Sequence, residues 1–283
     1  MCVPATATSR RNAPSDPVLP IAAREPSGSS RSIGNPASGP DGALASTTTV
    51  SPTSAGYGAT VRCCRAQTNN KDLTIGVGTA GSLSPLSPEI EDLGRAPFAA
   101  VRTAMRALHG DVVAGRDPGR ILLVEHDPVY TAGRATPPHE LTSDIVPIER
   151  GGRITFHGPG QLVVYPIVRL PRRDVRDWLR RLERFGVGIC AAFGLHAEPS
   201  VDGTGVFIAD RKVASIGVAI KQWVNLHGIA INVAMDLAAW QRVRPCGLSP
   251  DVMTDLRSAA GRPIDLSAAK AAARAAILDL MAP

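Results

Sequence analysis

Residues 149–170 read ERGGRITFHGPGQLVVYPIVRL. Glycines at 151 and 152 and again at 158 and 160 bracket a short β-like run holding Thr155 and His157. The run at 162–170 that follows is rich in Val, Ile and Tyr and reads as a central strand, ended by Pro171. Upstream, Phe98, Val101, Met105, Leu108 and Val112 recur at helical spacing and predict a helix over 96–114. Residues 121–124 form a short apolar run after Asp117, Pro118 and Gly119, as a buried strand does. A loop, EHDPVYTAGR at 125–134, comes next, and 145–148 is a further strand. Downstream, Val175, Trp178, Leu179, Leu182, Phe185, Ile189, Cys190 and Phe193 share one face of an amphipathic helix over 174–193, with Gly194 as its stop. Three β-like pieces follow, GVFIA, KVASIGVAI and VNLHGIAINV, then a loop, RVRPCGLSPDVM, and an Ala-rich helix over 267–281 with Ser267 as N-cap. This order lacks the steady alternation of a doubly wound parallel sheet. It predicts an α/β protein of the α+β type, a mixed β-sheet flanked by helices.

The chain has 283 residues, and its two ends differ in kind. Ten of the 24 prolines and a single aromatic, Tyr57, fall in the first 90 residues. That stretch is rich in Ala, Ser, Pro, Thr and Gly without sustained periodicity, and such a composition cannot bury enough apolar surface to offset its ordering entropy. The expected organisation is a disordered extension over 1–82 and one folded domain over 83–283. Six arginines and three acids over residues 1–70 supply half of the net charge of +6. The charge is therefore a weak pointer to nucleic acid, and the folded part shows no basic stripe interleaved with aromatics. The acid-poor tail is open to two readings, an organellar transit peptide or a start placed too far upstream. No apolar stretch is long enough to span a bilayer, so no membrane role is expected. Cys2, Cys63, Cys64, Cys190 and Cys246 form no CxxC pair and are odd in number, which argues for a reducing compartment and against a disulfide framework or a metal site.

Several residues are candidates for chemistry. The segment Arg150, Gly151, Gly152, Arg153, Ile154, Thr155, Phe156, His157 combines close backbone approach with a basic residue at each turn, although a tight hairpin without a ligand has the same spacing. It matches neither GxGxxG nor GxxxxGK[ST], so no nucleotide loop is supported. Cys190 sits on an apolar helix face and reads as core. Cys246, between Pro245 and Gly247 with Arg242 and Arg244 nearby, is set in electropositive surroundings that favour the thiolate, and is either a nucleophile or an incidental loop thiol. Lys212 opens a strand in a chain with only three other lysines, Lys71, Lys221 and Lys270. An ammonium can serve as acid and base beside a thiol where a guanidinium cannot, and a solvated strand end is the plain alternative. His157 and His227, each beside a glycine, are ligand contacts or satisfied core imidazoles.

Taken together, RGGRITFHGPGQLVVYPIV, the upstream EHDPVYTAGR, and the downstream GVFIADRKVASIGVAI, HGIAINV and RPCGL resemble the octanoyl-acyl-carrier-protein:protein N-octanoyltransferases, also called lipoate-protein ligase B. The resemblance covers about residues 88 to 280, through motifs in matching order; the tail has no counterpart in it. It implies the biotin/lipoate-protein ligase catalytic-domain fold. Cys246 matches the cysteine that forms an acyl-thioester, and Lys212 the lysine that lowers its pKa and handles protons. Residues 150–157 resemble the segment lining the acyl site, joined by Ser215, Ile216, Gly217, Gly228, Ile229 and Ala230. The sequence departs modestly, with Phe207 where the family often has tryptophan and with residues 253–256 differing from the usual Val-Thr-Ser-Leu.

The implied reaction moves an octanoyl group from the phosphopantetheine arm of acyl carrier protein to the ε-amine of a lipoyl-domain lysine, on 2-oxoacid dehydrogenase subunits or the glycine-cleavage H protein. No bound cofactor, metal or nucleic acid is implied, and a cytoplasmic bacterial enzyme is expected. Small residues at 217, 228 and 230 would leave room for the acyl chain. Backbone N–H groups at Lys212 and Val213, or at the Gly151 and Gly152 turn, are the candidates to hold the oxyanion. Arg172, Arg173, Arg176, Arg180, Arg181 and Arg184 are either a docking surface for acidic carriers or a solvated helix face. The rival within the fold is an ATP-dependent lipoate or biotin ligase, which needs no thiol; a cysteine peptidase pairing Cys246 with His157 or His227 is the rival outside it.

Overall fold

A computed structural model describes residues 88–201, 204–243 and 248–282. The proposed tail, with Cys2, Cys63 and Cys64, lies outside the described residues, as does Cys246. The described residues belong to one unit. It is built on a seven-stranded sheet. In chain order the elements are β1 (Glu89–Ala96), α1 (Phe98–Val113), β2 (Gly119–His126), β3 (Val129–Ala132), β4 (Ile145–Pro147), β5 (Ile154–His157), β6 (Gln161–Val168), α2 (Val175–Ala191), β7 (Glu198–Pro199), β8 (Gly205–Ile208), β9 (Arg211–Lys221), β10 (Val224–Asn232), α3 (Leu256–Ala260) and α4 (Leu266–Met281). The main sheet runs β1-β2-β6-β10-β9-β8-β7, and a small one β4-β3-β5. Only β1 and β2 pair in parallel in the large sheet, so it is mixed, as expected.

Five elements depart from the sequence-based reading, two of them the short strand β7 and the one-turn helix α3, which it did not include. Strand β1 was not expected, because EIEDLGRA carries acids that stay partly exposed at a sheet edge. Part of the loop at 125–134 is strand β3, whose Tyr130 and Ala132 alternate into a small core. Helix α4 starts one residue earlier than expected and is capped by Asp265, whose carboxylate accepts from Ala268 N, rather than by Ser267. Helix α2 follows expectation more closely: Asp174 caps it through Arg176 N and Asp177 N, and Gly194 adopts φ +77° just past its end.

Alternation along the central strands sorts side chains onto two faces. On β2 and β6, Ile121, Leu123, Leu162 and Val164 meet Trp178, Leu182, Phe185 and Ile189 of α2 and the small residues Ala269 and Ala273 of α4. Leu122, Val124, Val163, Tyr165 and Ile167 point to the opposite face, where Val101, Met105, Leu108 and Val112 of α1 cover them.

Pro166 stands in the middle of this central strand although it has no N–H for either neighbour, an arrangement that ordinarily marks an edge. The structure accommodates it by parting two strands. Pairing of β10 with β6 stops at Ile229 and Val164, and a lone bridge joins Val224 to Arg169 further along. Between these points Asn225, fully buried, donates through Nδ2 to Pro166 O at 2.7 Å and to His227 O at 2.9 Å. His227 itself adopts φ +68°. The carboxamide replaces the missing ladder bond, and removing it leaves buried carbonyls without donors, so Asn225→Ala should lower stability by about 1–3 kcal/mol. An unchanged midpoint in urea unfolding would refute this role.

Candidate active site

The α1 face of the sheet is not filled everywhere. A narrow slot crosses β6, β10 and β9. Strand periodicity decides what lines it. Val163 and Tyr165 come from β6, Gly228 and Ala230 from β10, Ser215 and Gly217 from β9, with Gly228 paired to Gly217 and Ala230 to Ser215. Ile216 and Ile229 also reach it, and Phe98, Ile148 and Thr204 contribute from the periphery.

Of the segment at 150–157, Arg150, Gly152, Thr155 and His157 line the slot, whereas Gly151, Arg153, Ile154 and Phe156 do not. Alternation on β5 explains half of this: Ile154 and Phe156 point the other way, into a core with Tyr130, Met235 and Trp240. Arg153 instead pairs with Glu140. Gly151 N donates to Val218 O at 2.9 Å, which removes that N–H from the candidate oxyanion donors. Arg150 works inward: its guanidinium donates to the carbonyls of Gly151, Arg153 and Thr131 and to Thr131 Oγ1, at 2.8 to 3.0 Å. It thus ties the glycine turn to β3. The glycines at 217 and 228 line the slot and also let protein atoms approach closely. A Cβ at Gly217 would lie 2.8 Å from Arg150 Cδ, and one at Gly228 would lie 2.1 Å from Val164 O. They admit Arg150 and the neighbouring strand.

One end of the slot is walled by rings. His126, His157, Tyr165 and Phe98 pack with centroids 5.4 to 6.2 Å apart, and His227 lies 6.2 Å from Tyr165. His126 Nδ1 faces Ala96 O at 3.0 Å, so it carries the proton, and Nε2 accepts from the Tyr165 hydroxyl at 2.9 Å. His157 Nδ1 lies 2.8 Å from Gln161 Oε1, and Gln161 Nε2 donates to Asn232 Oδ1 at 2.9 Å. Burial pushes His157 down to about 3, and the neighbouring His126 adds to the effect. Burial also takes His227 down to about 4, against the opposing pull of Glu149, whose carboxylate lies 3.7 Å from Nε2. His126 is lowered for the same reason, and burial raises the Tyr165 phenol. All these groups are neutral near pH 7, and the wall is effectively apolar. Just outside it, Glu149 is ion-paired with Arg102 at 2.8 Å and Arg106 at 3.1 Å. Phe98, Tyr165, Thr204, Ile148 and Val163 were missed from sequence; the period-two pattern of β6 would have indicated Val163 and Tyr165.

Lys212, on β9, is not itself among the lining residues and is only 3% exposed. Its Nζ donates to Thr204 O at 3.4 Å and sits 5.7 Å from the Phe207 ring centroid. The side chain passes over Gly205, where a Cβ would stand 2.7 Å from Lys212 Cε. On the backbone, Lys212 O accepts from Thr254 N at 3.0 Å and the residue bridges Met253. Thr254 O in turn accepts from Asn232 Nδ2 at 2.8 Å. The segment that follows the Pro-Cys-Gly loop is thereby fastened to the strand carrying the lysine. Cys190 is core, 1% exposed, its thiol pushed up to about 12 by burial. Among the described residues no three His, Cys, Asp or Glu side chains gather as a metal site. Of the arginine cluster, Arg181 is buried against Asp177 and Ala282 O and leaves the surface set; Arg172, Arg173, Arg176, Arg180 and Arg184 are exposed.

The lowered imidazoles predict a pH dependence. The unfolded chain accepts protons near pH 6.5 that the native state refuses until about 3 at His157 and about 4 at His227. Stability is therefore full above pH 6.5 and falls as the pH drops through this window, by up to about 1.4 kcal/mol per pH unit for each imidazole. His157→Gln should flatten the decline between pH 6.5 and 4 in urea titrations. An identical slope would show that His157 is not the group responsible.

Residues 99–278 match the family model of the lipoyl protein ligase A/B catalytic domain. An octanoyltransferase of Syntrophotalea carbinolica is 42% identical over 188 residues, covering 65% of this chain and 89% of that protein. One of Pseudarthrobacter chlorophenolicus is 39% identical over 196 residues, covering 63% and 88%. Among solved structures, a lipoate-protein ligase A bound with ATP superposes with a TM-score of 0.58 at 14% identity, covering 69% of this chain and 85% of that one. A putative lipoate protein ligase from T. acidophilum with bound lipoic acid gives 0.56 at 15%, covering 69% and 86%. These distant likenesses show the mixed-sheet catalytic-domain fold expected from sequence. The chain belongs to the lipoyl protein ligase A/B catalytic-domain family, among its octanoyltransferases, and is an acyltransferase.

Proposed function

We propose that the chain takes an octanoyl group from a thioester on the phosphopantetheine arm of acyl carrier protein and passes it, through an acyl-thioester on Cys246, to a lysine of a lipoyl domain. The acceptors are lipoyl domains of 2-oxoacid dehydrogenase subunits or the glycine-cleavage H protein, in the cytoplasm, without a cofactor or metal of the enzyme's own. The observation that carries this reading is the placement of Lys212. It is a buried lysine whose Nζ donates to the carbonyl of Thr204, a residue that lines the slot, and whose backbone is bonded to Thr254 in the segment following Cys246.

The Cys246 thiolate attacks the thioester carbonyl, forming one C–S bond while the pantetheine C–S bond breaks, and the departing thiolate takes a proton from the Lys212 ammonium. The neutral amine of the acceptor lysine then attacks the acyl-enzyme. Its nitrogen gives a proton to Lys212 as the C–N bond forms and the Cys246 thiolate leaves, restoring the starting state. A hydrocarbon chain in the slot gains about 0.8 kcal/mol per buried methylene. The ATP-dependent ligase reading has no use for Cys246 as a nucleophile.

Incubation of the full chain with octanoyl-acyl carrier protein and no ATP should add the mass of one octanoyl group, and Cys246→Ala should abolish the gain. Lys212→Met should slow acylation by about 10²–10⁴-fold. Transfer that needs ATP, or an adduct that persists in Cys246→Ala, would overturn the assignment.

A further inference from the structure

Phe98 separates two spaces. It lines the slot and also borders an outer cleft that Pro97, Arg102, Asp127 and Val146 help to form. It is the one lining residue that the two share. Although it is the first residue of α1, the ring is held firmly and is 5% exposed. Ala96 is bonded to His126 at 3.0 Å, and the ring stands edge-on to His126 at 5.4 Å and stacks on His157 at 6.2 Å with an interplanar angle of 12°. His157 is itself fixed by Gln161.

Lys212 belongs to β9, and Phe98 packs on His126 of β2 and His157 of β5, with β10 and β6 lying between β9 and β2 in the sheet. Ser215 and Gly217 of β9, Gly228 and Ala230 of β10, and Val163 and Tyr165 of β6 line the slot between them. An acyl chain anchored near Lys212 and laid across the strands ends against the ring.

We propose that the Phe98 ring is the stop that sets the longest acyl chain the slot takes, so that this residue, rather than any on the sheet, determines chain-length specificity. The inference rests on the reading that the slot holds the acyl chain. Loss of the ring joins the slot to the outer cleft and lets a longer chain run through; a larger ring shortens the slot.

The test is a ladder of acyl-acyl carrier proteins from hexanoyl to tetradecanoyl, offered to the full-length wild type, Phe98→Ala, Phe98→Leu and Phe98→Trp, with kcat/KM for each donor. In the Ala and Leu variants the ratio of dodecanoyl to octanoyl should rise about tenfold or more over the wild type, and in Phe98→Trp the hexanoyl to octanoyl ratio should rise. Phe98→Leu keeps an apolar side chain at the helix start and serves if Phe98→Ala does not fold. Folded variants that transfer octanoyl with the wild-type chain-length profile would overturn the role of Phe98 while leaving the function intact. A wild type that accepts no acyl donor would instead overturn the reading of the site, and the proposal with it.

Discussion

Strand β6 has no solvent face. All eight residues from Gln161 to Val168 are buried, so both sides of the strand have to be covered, and the two sides are covered differently. Helices α2 and α4 close one side with large apolar residues fitted against small ones. On the other side α1 covers only part of the strand, and the uncovered part is the slot. The site is thus an unfilled stretch of a core, which is why its walls are rigid strands and why neighbouring strands contribute side chains in register. Pro166 adds to this arrangement. It prevents a full ladder between β6 and β10, and the Asn225 carboxamide and the left-handed His227 occupy the parting.

Titratable groups are prominent around a slot whose exposed lining is largely apolar, and burial reconciles the two. Imidazoles that lose their hydration lose their charge, and each remaining polar atom of His126 and His157 that is bonded faces a neutral protein partner. Charge is kept outside the ring wall, on Glu149 with Arg102 and Arg106, or turned into the protein, as with the Arg150 guanidinium and its four acceptors. Arg150 is a fastener for the glycine turn. Its fork geometry satisfies three carbonyls and a hydroxyl that a lysine could not hold together. On the opposite side, the chain from His157 through Gln161, Asn232 and Thr254 to the Lys212 carbonyl links the ring wall to the strand that carries the lysine.

Much of the molecule was legible before folding. Apolar periodicity marked α1, α2, α4 and the central strands, because burial on a helix stripe or on a strand repeats every few residues and leaves its trace in the chain. Strand β1 left no such trace, since an edge strand with half-exposed acids has no alternation to read. The glycine turn and Lys212 stood out for chemical reasons: glycines cluster where backbones approach closely, and one buried lysine is conspicuous in an arginine-rich chain. Phe98 and Tyr165 could only be read as core, because a residue that packs against a core and one that borders a slot differ in what is missing on the far side.

By itself, the sequence determined the main helices and central strands, the mixed sheet and the family, since these depend on local pattern and on motifs whose residues are near neighbours in the chain. Tertiary structure alone decided which residues of the 150–157 segment face the slot, that protein atoms approach Gly217 and Gly228 closely, that Arg181 is buried, and that imidazoles from β2, β5 and β10 gather at one end. The reason is the same for each. Strand pairing brings together residues far apart in the chain, and both protonation and free volume depend on what that pairing places within a few ångströms.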